Sequence, residues 1–206
     1  SRIREQREGR VSIEPSQPGL LLIRHAPSEP QGRLYGRVDV PARIEGELGV
    51  AALRELLRGV ERRVSSPARR CRETAAAIWP EGPAAELDAR LWEQDFGAWD
   101  GKPFSDIPDL GPLPPEQLAA HRPPGGESFD DLVRRAAPAL REIAEQHADA
   151  PVAVIAHAGT IRAALAMALG ANGPALGFEI APLSVTRLRL LPSGDFTITC
   201  TNWRQA

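Results

Sequence analysis

The feature that most constrains this chain is a set of short apolar runs that each end in polar residues. Residues 20–23 form an unbroken apolar run, and Arg24 and His25 follow it directly. Residues 152–156 form a second such run, and His157 follows it. Continuous apolar runs of this length are typical of strands that are buried on both faces of a sheet. We therefore expect both segments to be central strands.

Segments with helical spacing alternate with the strand-like runs. Helices are predicted over residues 46–58, 68–78, 127–147 and 160–169, with a kink at Pro138, and shorter strands over residues 60–64 and 85–87. Two alternating runs, 184–191 and 195–201, predict a closing β-hairpin. This order predicts an α/β fold, a three-layer sandwich whose mostly parallel central sheet is flanked by helices.

The domain organisation is predicted to be simple. The 206 residues suit one domain over residues 19–206, preceded by a polar N-terminal arm over residues 1–18. The arm is charged and lacks the apolar stretch of a signal peptide, and no run of about 18 apolar residues predicts a membrane span.

Charge and cysteine content restrict the partners. The formal net charge is −2, so no overall basic field favours nucleic acid. The two cysteines are far apart in the chain and form no CxxC pattern, which favours a reducing, cytoplasmic setting. The expected partner is a small-molecule ligand, with no nucleic acid and no membrane, and a homodimer is left open.

The strand ends predict where a functional site lies. In open α/β sheets, ligands bind beyond the carboxyl ends of the strands, so His25 and His157 should face one crevice. Arg24 and Arg70 can each present a planar fork to phosphate oxygens. Backbone N–H groups at the helix that begins near Gly159 would also favour a phosphate. A neutral imidazole can attack phosphorus and form a covalent intermediate.

The leaving oxygen of such a reaction needs a proton, which predicts a nearby carboxylic acid. Residues 91–126 are predicted to be mostly irregular, and they contain an aromatic-rich segment with Glu93 and Asp95. Glu93 is the candidate acid and Asp95 its nearest rival. The alternative interpretation of Arg70 is an ordinary exposed residue on a helix.

Six sequence blocks, in order over residues 20–170, resemble one protein family. The blocks are LLIRHAPSE, YGRVDVPA, SSPARRCRETA, LWEQDFGAWDG, PPGGESFDDL and VIAHAGTIRAAL. Together they resemble the histidine phosphatase, or phosphoglycerate mutase-like, superfamily. Three positions differ from the family pattern: Ala26 for the usual Gly, Ser28 for Thr and Asp100 for Glu.

The resemblance implies a role for each matched residue. His25 would be the nucleophile that becomes phosphohistidine, and Glu93 the acid that later activates water. Three further residues would hold the phosphoryl oxygens: Arg24, Arg70 and His157. Contacts to substrate are expected from Ser28, Arg37 and Gly159. The resemblance implies no metal and no organic cofactor.

The predicted function is hydrolysis of a small-molecule phosphate monoester. Residues 24–41 most resemble the branch of α-ribazole-5′-phosphate phosphatases, which act in cobalamin biosynthesis. Three alternatives remain: a phosphoglycerate mutase-type transfer, a catalytically silent binding module, and a metal hydrolase using His25, His157 and Glu93. Residues 103–126 are Pro-rich and poor in basic residues, which favours hydrolysis over the mutase. The three candidate ligands lack a metal spacing such as HExxH.

Overall fold

A computed structural model describes residues 13–205. Its core is one six-stranded mixed sheet with the order β3-β2-β4-β1-β5-β6. The strands are β1 Gly19–Arg24, β2 Arg62–Ser65, β3 Glu86–Leu87, β4 Pro151–Ala156, β5 Val185–Leu190 and β6 Phe196–Trp203. The α-helices are α1 Leu48–Leu56, α2 Arg69–Ile78, α3 Pro115–Ala120, α4 Phe129–Gln146 and α5 Ala158–Leu169.

The three central strands run parallel and end at the same level. β4 lies between β1 and β2, with Arg24 opposite Ala156 and Ser65 opposite Ile155. The residues that follow these strands therefore meet at one edge of the sheet, as the sequence predicted. β5 and β6 form the predicted antiparallel hairpin beside β1.

The apolar runs are strands because helices cover both faces of the sheet. Leu20 and Leu22 of β1 pack into the core under α4 and α5, whereas Leu21 and Ile23 pack into the core beside α1 and α2. All four side chains are fully buried. Burial of each stabilises the fold by about 1.5–3 kcal/mol. Replacement of Leu22 by Asp would place an unpaired charge in this core and break the central strand.

Residues 91–126 contain more regular structure than the sequence predicts. Three 3₁₀ turns, Ala89–Leu91, Gly97–Trp99 and Phe104–Asp106, lie in or beside this stretch, and α3 follows them. The sequence pattern does not predict α3, because this helix has only six residues and lies in a Pro-rich stretch. Pro115 begins it, at a position where a missing N–H costs nothing.

The long helix α4 begins at a capping box. Ser128 accepts a hydrogen bond from Asp131 N, and the Asp131 carboxylate accepts one from Ser128 N. The helix continues through Pro138 to Gln146. This box anchors the helix that packs beside α5 and beneath the site.

The predicted arm, residues 1–18, lies mostly outside the described residues. Within the described part, Ile13 is buried against the α1 and α2 side of the core. The boundary at residue 18 therefore stays a prediction. No helix among residues 13–205 is both long and apolar enough to span a membrane.

Candidate active site

His25 lies directly after β1 and is 5% exposed. Its Nδ1 is 2.6 Å from the carbonyl oxygen of Ala26. Because a carbonyl oxygen only accepts hydrogen bonds, Nδ1 carries the proton and Nε2 keeps a free electron pair. Burial lowers the pKa of His25 well below its usual value, and the charges of Arg70 and Arg24 act in the same direction. The imidazole is therefore neutral and nucleophilic at neutral pH.

Arg70, in the first turn of α2, is fully buried beside His25. Its Nε donates to His25 Nε2 at 3.3 Å. Its terminal nitrogens donate to the carbonyl oxygens of Val38 at 3.2 Å and Gly36 at 2.8 Å. The reading of Arg70 as an exposed helix residue is wrong. No carboxylate among the described residues forms an ion pair with it, so an anion would complete its environment.

His157 follows β4 and lies against His25, as the topology predicts. The two ring centroids are 5.2 Å apart, and the ring planes meet at 67°. His157 is fully buried, and its Nε2 is 2.8 Å from Ser66 Oγ. Burial, with Arg70 and His25 nearby, lowers the pKa of His157 well below its usual value. Trp92 stacks parallel to the ring, with centroids 6.3 Å apart.

Arg24 borders the same space from the end of β1. Its Nη1 donates to the carbonyl oxygen of Ile180 at 2.5 Å, which fixes the guanidinium. Its buried Nε has no hydrogen-bond partner among residues 13–205. A buried guanidinium N–H without a partner costs free energy, so an anion at this position would be favoured.

Glu93 presents a carboxyl group to the crevice and is 7% exposed. Its two oxygens accept N–H groups from Gln94 at 2.9 Å and from Gly159 at 3.1 Å. A Cβ atom at position 159 would overlap Glu93 Oε1, so Gly159 makes this placement feasible. The Asp95 carboxylate instead caps the turn at Gly97 N, at 2.8 Å. Glu93 is thus the better-placed acid.

The loop that carries Glu93 is held by an ion pair that the sequence analysis did not identify. Arg135 of α4 contacts both carboxylate oxygens of Glu127, at 3.0 and 2.8 Å. The same guanidinium donates to the carbonyl oxygens of Trp92 at 3.0 Å and Glu93 at 3.3 Å. The Gly-Gly-Glu-Ser block contained Glu127, but its partner is identifiable only from the folded structure.

A cavity of about 460 Å³ opens over His25, Arg24 and Glu93, whereas Arg70 and His157 are fully buried and do not line it. Its charged lining residues are Arg24, Arg33, Glu93 and Arg162. Ser28 and Gly159 also line it, whereas Arg37 does not. The Arg37 guanidinium lies 3.7 Å from Glu127 and 5.6 Å from the Trp92 ring centroid. Its predicted contact with substrate, like that of Ser28 and Gly159, stays a prediction.

No group of three or more His, Cys, Asp or Glu side chains is arranged to hold a metal within residues 13–205. His25, His157 and Glu93 come together, but as two neutral imidazoles and a carboxyl group already bonded to backbone N–H groups. The expectation of a metal-independent site remains a prediction.

The buried imidazoles predict how stability depends on pH. In the unfolded chain both histidines take up protons near pH 6.5, whereas in the folded protein their pKa values are lower. Below pH 6.5 the unfolded state therefore binds more protons, and the free energy of unfolding falls on acidification. We expect a slope of up to about 2.7 kcal/mol per pH unit for the pair. Urea unfolding at pH 7.5, 6.5 and 5.5 measures it.

A substitution of His157 separates the contribution of the buried histidines from that of other titrating groups. His157→Asn should reduce the slope between pH 6.5 and 5.5 by about half, because one of two protonation sites is removed. The hydrogen bond from the Ser128 backbone, with others, lowers the pKa of Asp131 to about 2, so this carboxyl group changes the free energy of unfolding at a lower pH. A free energy of unfolding that stays constant between pH 6.5 and 5.5 would contradict neutral burial of the histidines.

Comparison with known proteins agrees with this geometry. Residues 20–204 match the model of the histidine phosphatase superfamily (branch 1). A bifunctional protein of Mycobacterium tuberculosis is 34% identical over 178 residues, covering 81% of this chain and 49% of that protein. This chain thus spans about half the length of the first mycobacterial relatives that it matches.

Two further relatives match over most of their length. A glucosyl-3-phosphoglycerate phosphatase of Mycolicibacterium vanbaalenii is 32% identical, covering 77% of this chain and 78% of that protein. The structure of a mycobacterial glucosyl-3-phosphoglycerate phosphatase superposes with a TM-score of 0.79 at 26% identity, covering 90% and 98% of the two chains. The chain belongs to the histidine phosphatase superfamily.

Proposed function

We propose that this protein hydrolyses a small-molecule phosphate monoester through a phosphohistidine intermediate. The observation that carries the proposal is a buried, neutral His25 whose Nε2 faces Arg70 at 3.3 Å. The Glu93 carboxyl group lines the same cavity as His25, and the buried ring of His157 packs against His25. A nucleophile, guanidinium donors and an acid are the groups that phosphoryl transfer requires.

The first half of the reaction transfers the phosphoryl group to the protein. Arg24 and Arg70 hold the phosphoryl oxygens, and their N–H donors stabilise the charge that develops on them. His157, to which the family resemblance gives the same role, contributes a donor only if its Nε2 turns from Ser66 Oγ toward the phosphoryl group. His25 Nε2 forms a bond to phosphorus as the bond to the alcohol oxygen breaks. Glu93 donates its proton to that oxygen, and the alcohol leaves.

The second half returns the protein to its starting state. Glu93, now a carboxylate, removes a proton from a water molecule, and the water oxygen bonds to phosphorus. The phosphorus–nitrogen bond breaks, inorganic phosphate leaves, and His25 recovers its electron pair. The hydrogen bond from Nδ1 to the Ala26 carbonyl keeps the ring in one orientation throughout.

Two substrate classes are candidates for the leaving alcohol. The sequence pattern of residues 24–41 suggests α-ribazole 5′-phosphate, a phosphate ester of cobalamin biosynthesis. The similar proteins include phosphatases of glucosyl-3-phosphoglycerate and, in Arabidopsis thaliana, of phosphoserine at 28% identity. The two classes differ in whether the alcohol carries a second acidic group.

A phosphate-release screen tests the proposal. The panel contains p-nitrophenyl phosphate, α-ribazole 5′-phosphate, phosphoserine, 3-phosphoglycerate and sugar phosphates, each with and without EDTA. We expect hydrolysis of at least one alkyl phosphate that EDTA does not reduce. Absence of phosphate release from the whole panel would contradict the proposal. Formation of 2-phosphoglycerate from 3-phosphoglycerate with a bisphosphate primer would favour the mutase instead.

A further inference from the structure

The cavity above the proposed phosphoryl site is more cationic than one phosphate group requires. Its charged lining residues are three arginines and Glu93, a balance of +3 when Glu93 holds the proton that the proposed mechanism requires. A phosphate monoester carries about −2 at neutral pH. Arg24 ends β1 beside the nucleophile, Arg33 lies in the loop after β1, and Arg162 lies on α5. A substrate with a second anionic group would engage more of these guanidinium groups than a single phosphate does.

The Arg162 side chain is held more firmly in place than that of Arg33. It lies in the second turn of α5, and its Nε donates to the carbonyl oxygen of Phe178 at 2.9 Å. Within residues 13–205 it forms no ion pair and no other side-chain hydrogen bond, so its terminal nitrogens have no protein partner. An anchored guanidinium group on a helix is a preorganised fork for a carboxylate or a phosphate.

The position of Arg162 along α5 limits where that anion can be. Arg162 is four residues after Ala158, the first residue of the helix, which corresponds to about 6 Å along its axis. The start of α5 borders the phosphoryl site through Ala158 and Gly159. Helical side chains point back toward the N-terminus, so the Arg162 guanidinium group can approach this start. Burial lowers the pKa of Arg162 and the nearby Glu93 carboxylate opposes that shift, which places the guanidinium group near the proposed proton donor. An anion bound by Arg162 would therefore lie on the leaving-group side of the phosphoryl site.

We propose that Arg162 binds a second anionic group on the substrate, so that the preferred substrates are phosphate monoesters of acidic alcohols. The acidic group is a carboxylate or a second phosphate near the ester oxygen. This inference rests on the proposed function and narrows its substrate class. It places α-ribazole 5′-phosphate, whose alcohol has no second acidic group, among the poorer substrates.

Matched pairs of substrates test this subsite. O-phosphoserine and phosphoethanolamine differ only in the carboxylate, and 3-phosphoglycerate and glycerol 3-phosphate form a second pair. A charge-assisted hydrogen bond discriminates by about 10-fold or more. We therefore expect kcat/KM for the carboxylated member to exceed that of its partner by at least about 10-fold. In Arg162→Met this ratio should fall to within about threefold.

Control variants isolate the role of the guanidinium group. Arg58→Met removes an arginine whose side chain is 77% exposed at the end of α1, so the ratio should keep its original value. Arg162→Gln retains a side-chain N–H donor for Phe178 and serves if Arg162→Met does not fold. The readout is the ratio within each protein, which general damage to the site would not change.

The possible results separate the two proposals. Equal kcat/KM values for the members of both pairs would overturn the subsite and leave the phosphatase proposal intact. A ratio that stays near its original value in both Arg162 variants would also overturn it. No phosphate release from either pair or from any other member of the panel would overturn the proposed function, and the subsite with it.

Discussion

His25→Ala is expected to abolish turnover, with kcat at least about 10⁴-fold below that of the original protein. The variant lacks the Nε2 atom that forms the bond to phosphorus in the proposed mechanism. His157 cannot replace it, because its own Nε2 is 2.8 Å from Ser66 Oγ and its ring is fully buried. Acid-labile phosphate bound to the protein should disappear as well. Rapid quenching with radiolabelled substrate measures this adduct.

A control distinguishes loss of the nucleophile from loss of a histidine in general. His147→Ala changes a residue at the C-terminal end of α4, away from the cavity, and should retain kcat within about twofold. His25→Asn offers a second test with a smaller change in volume. Full-rate formation of the acid-labile adduct in His25→Ala would assign the nucleophile to another residue.

Glu93→Gln is expected to slow alkyl phosphates by about 10²- to 10⁴-fold while slowing p-nitrophenyl phosphate much less. Alkoxide is a poor leaving group and needs a proton in the transition state, whereas p-nitrophenolate leaves without one. Glutamine preserves the size of the side chain, and its Oε1 can still accept an N–H from Gly159 or Gln94. Steady-state kcat/KM for the two substrate types provides the comparison.

Asp95→Asn is the matched control for this prediction. Asp95 lies two residues from Glu93 in the same loop, but its carboxylate caps a turn at Gly97 and does not line the cavity. Asp95→Asn should change kcat/KM by a similar factor for alkyl and aryl phosphates. Equal slowing of both substrates by Glu93→Gln would remove Glu93 from the role of acid.

Much of the fold was predictable because the central strands are buried on both faces. Two unbroken apolar runs identified β1 and β4, and two alternating runs identified the hairpin of β5 and β6. The meeting of His25 and His157 followed from the rule that parallel strands end at one edge of a sheet. These features depend on local pattern and topology, which a sequence contains.

The arrangement of side chains around the two histidines was harder to predict. Arg70 is fully buried because the carbonyl oxygens of Gly36 and Val38, more than 30 residues earlier, accept its N–H groups. The ion pair of Arg135 with Glu127 and the orientation of Arg162 likewise depend on how loops pack. No periodicity in the sequence reports such contacts, since each joins a helix to an irregular segment outside it.

The hydrogen bond from Arg70 Nε to His25 Nε2 bears on which electrophiles this site can attack. In this structure the electron pair needed for attack accepts an N–H from a cation. A phosphate ester can draw that guanidinium group onto its own oxygens and so release the imidazole for reaction. A neutral carboxylic ester offers no comparable charge, and His25 remains engaged beside it. We therefore expect reactivity to depend on an anionic group, so that acyl esters stay intact in the same cleft.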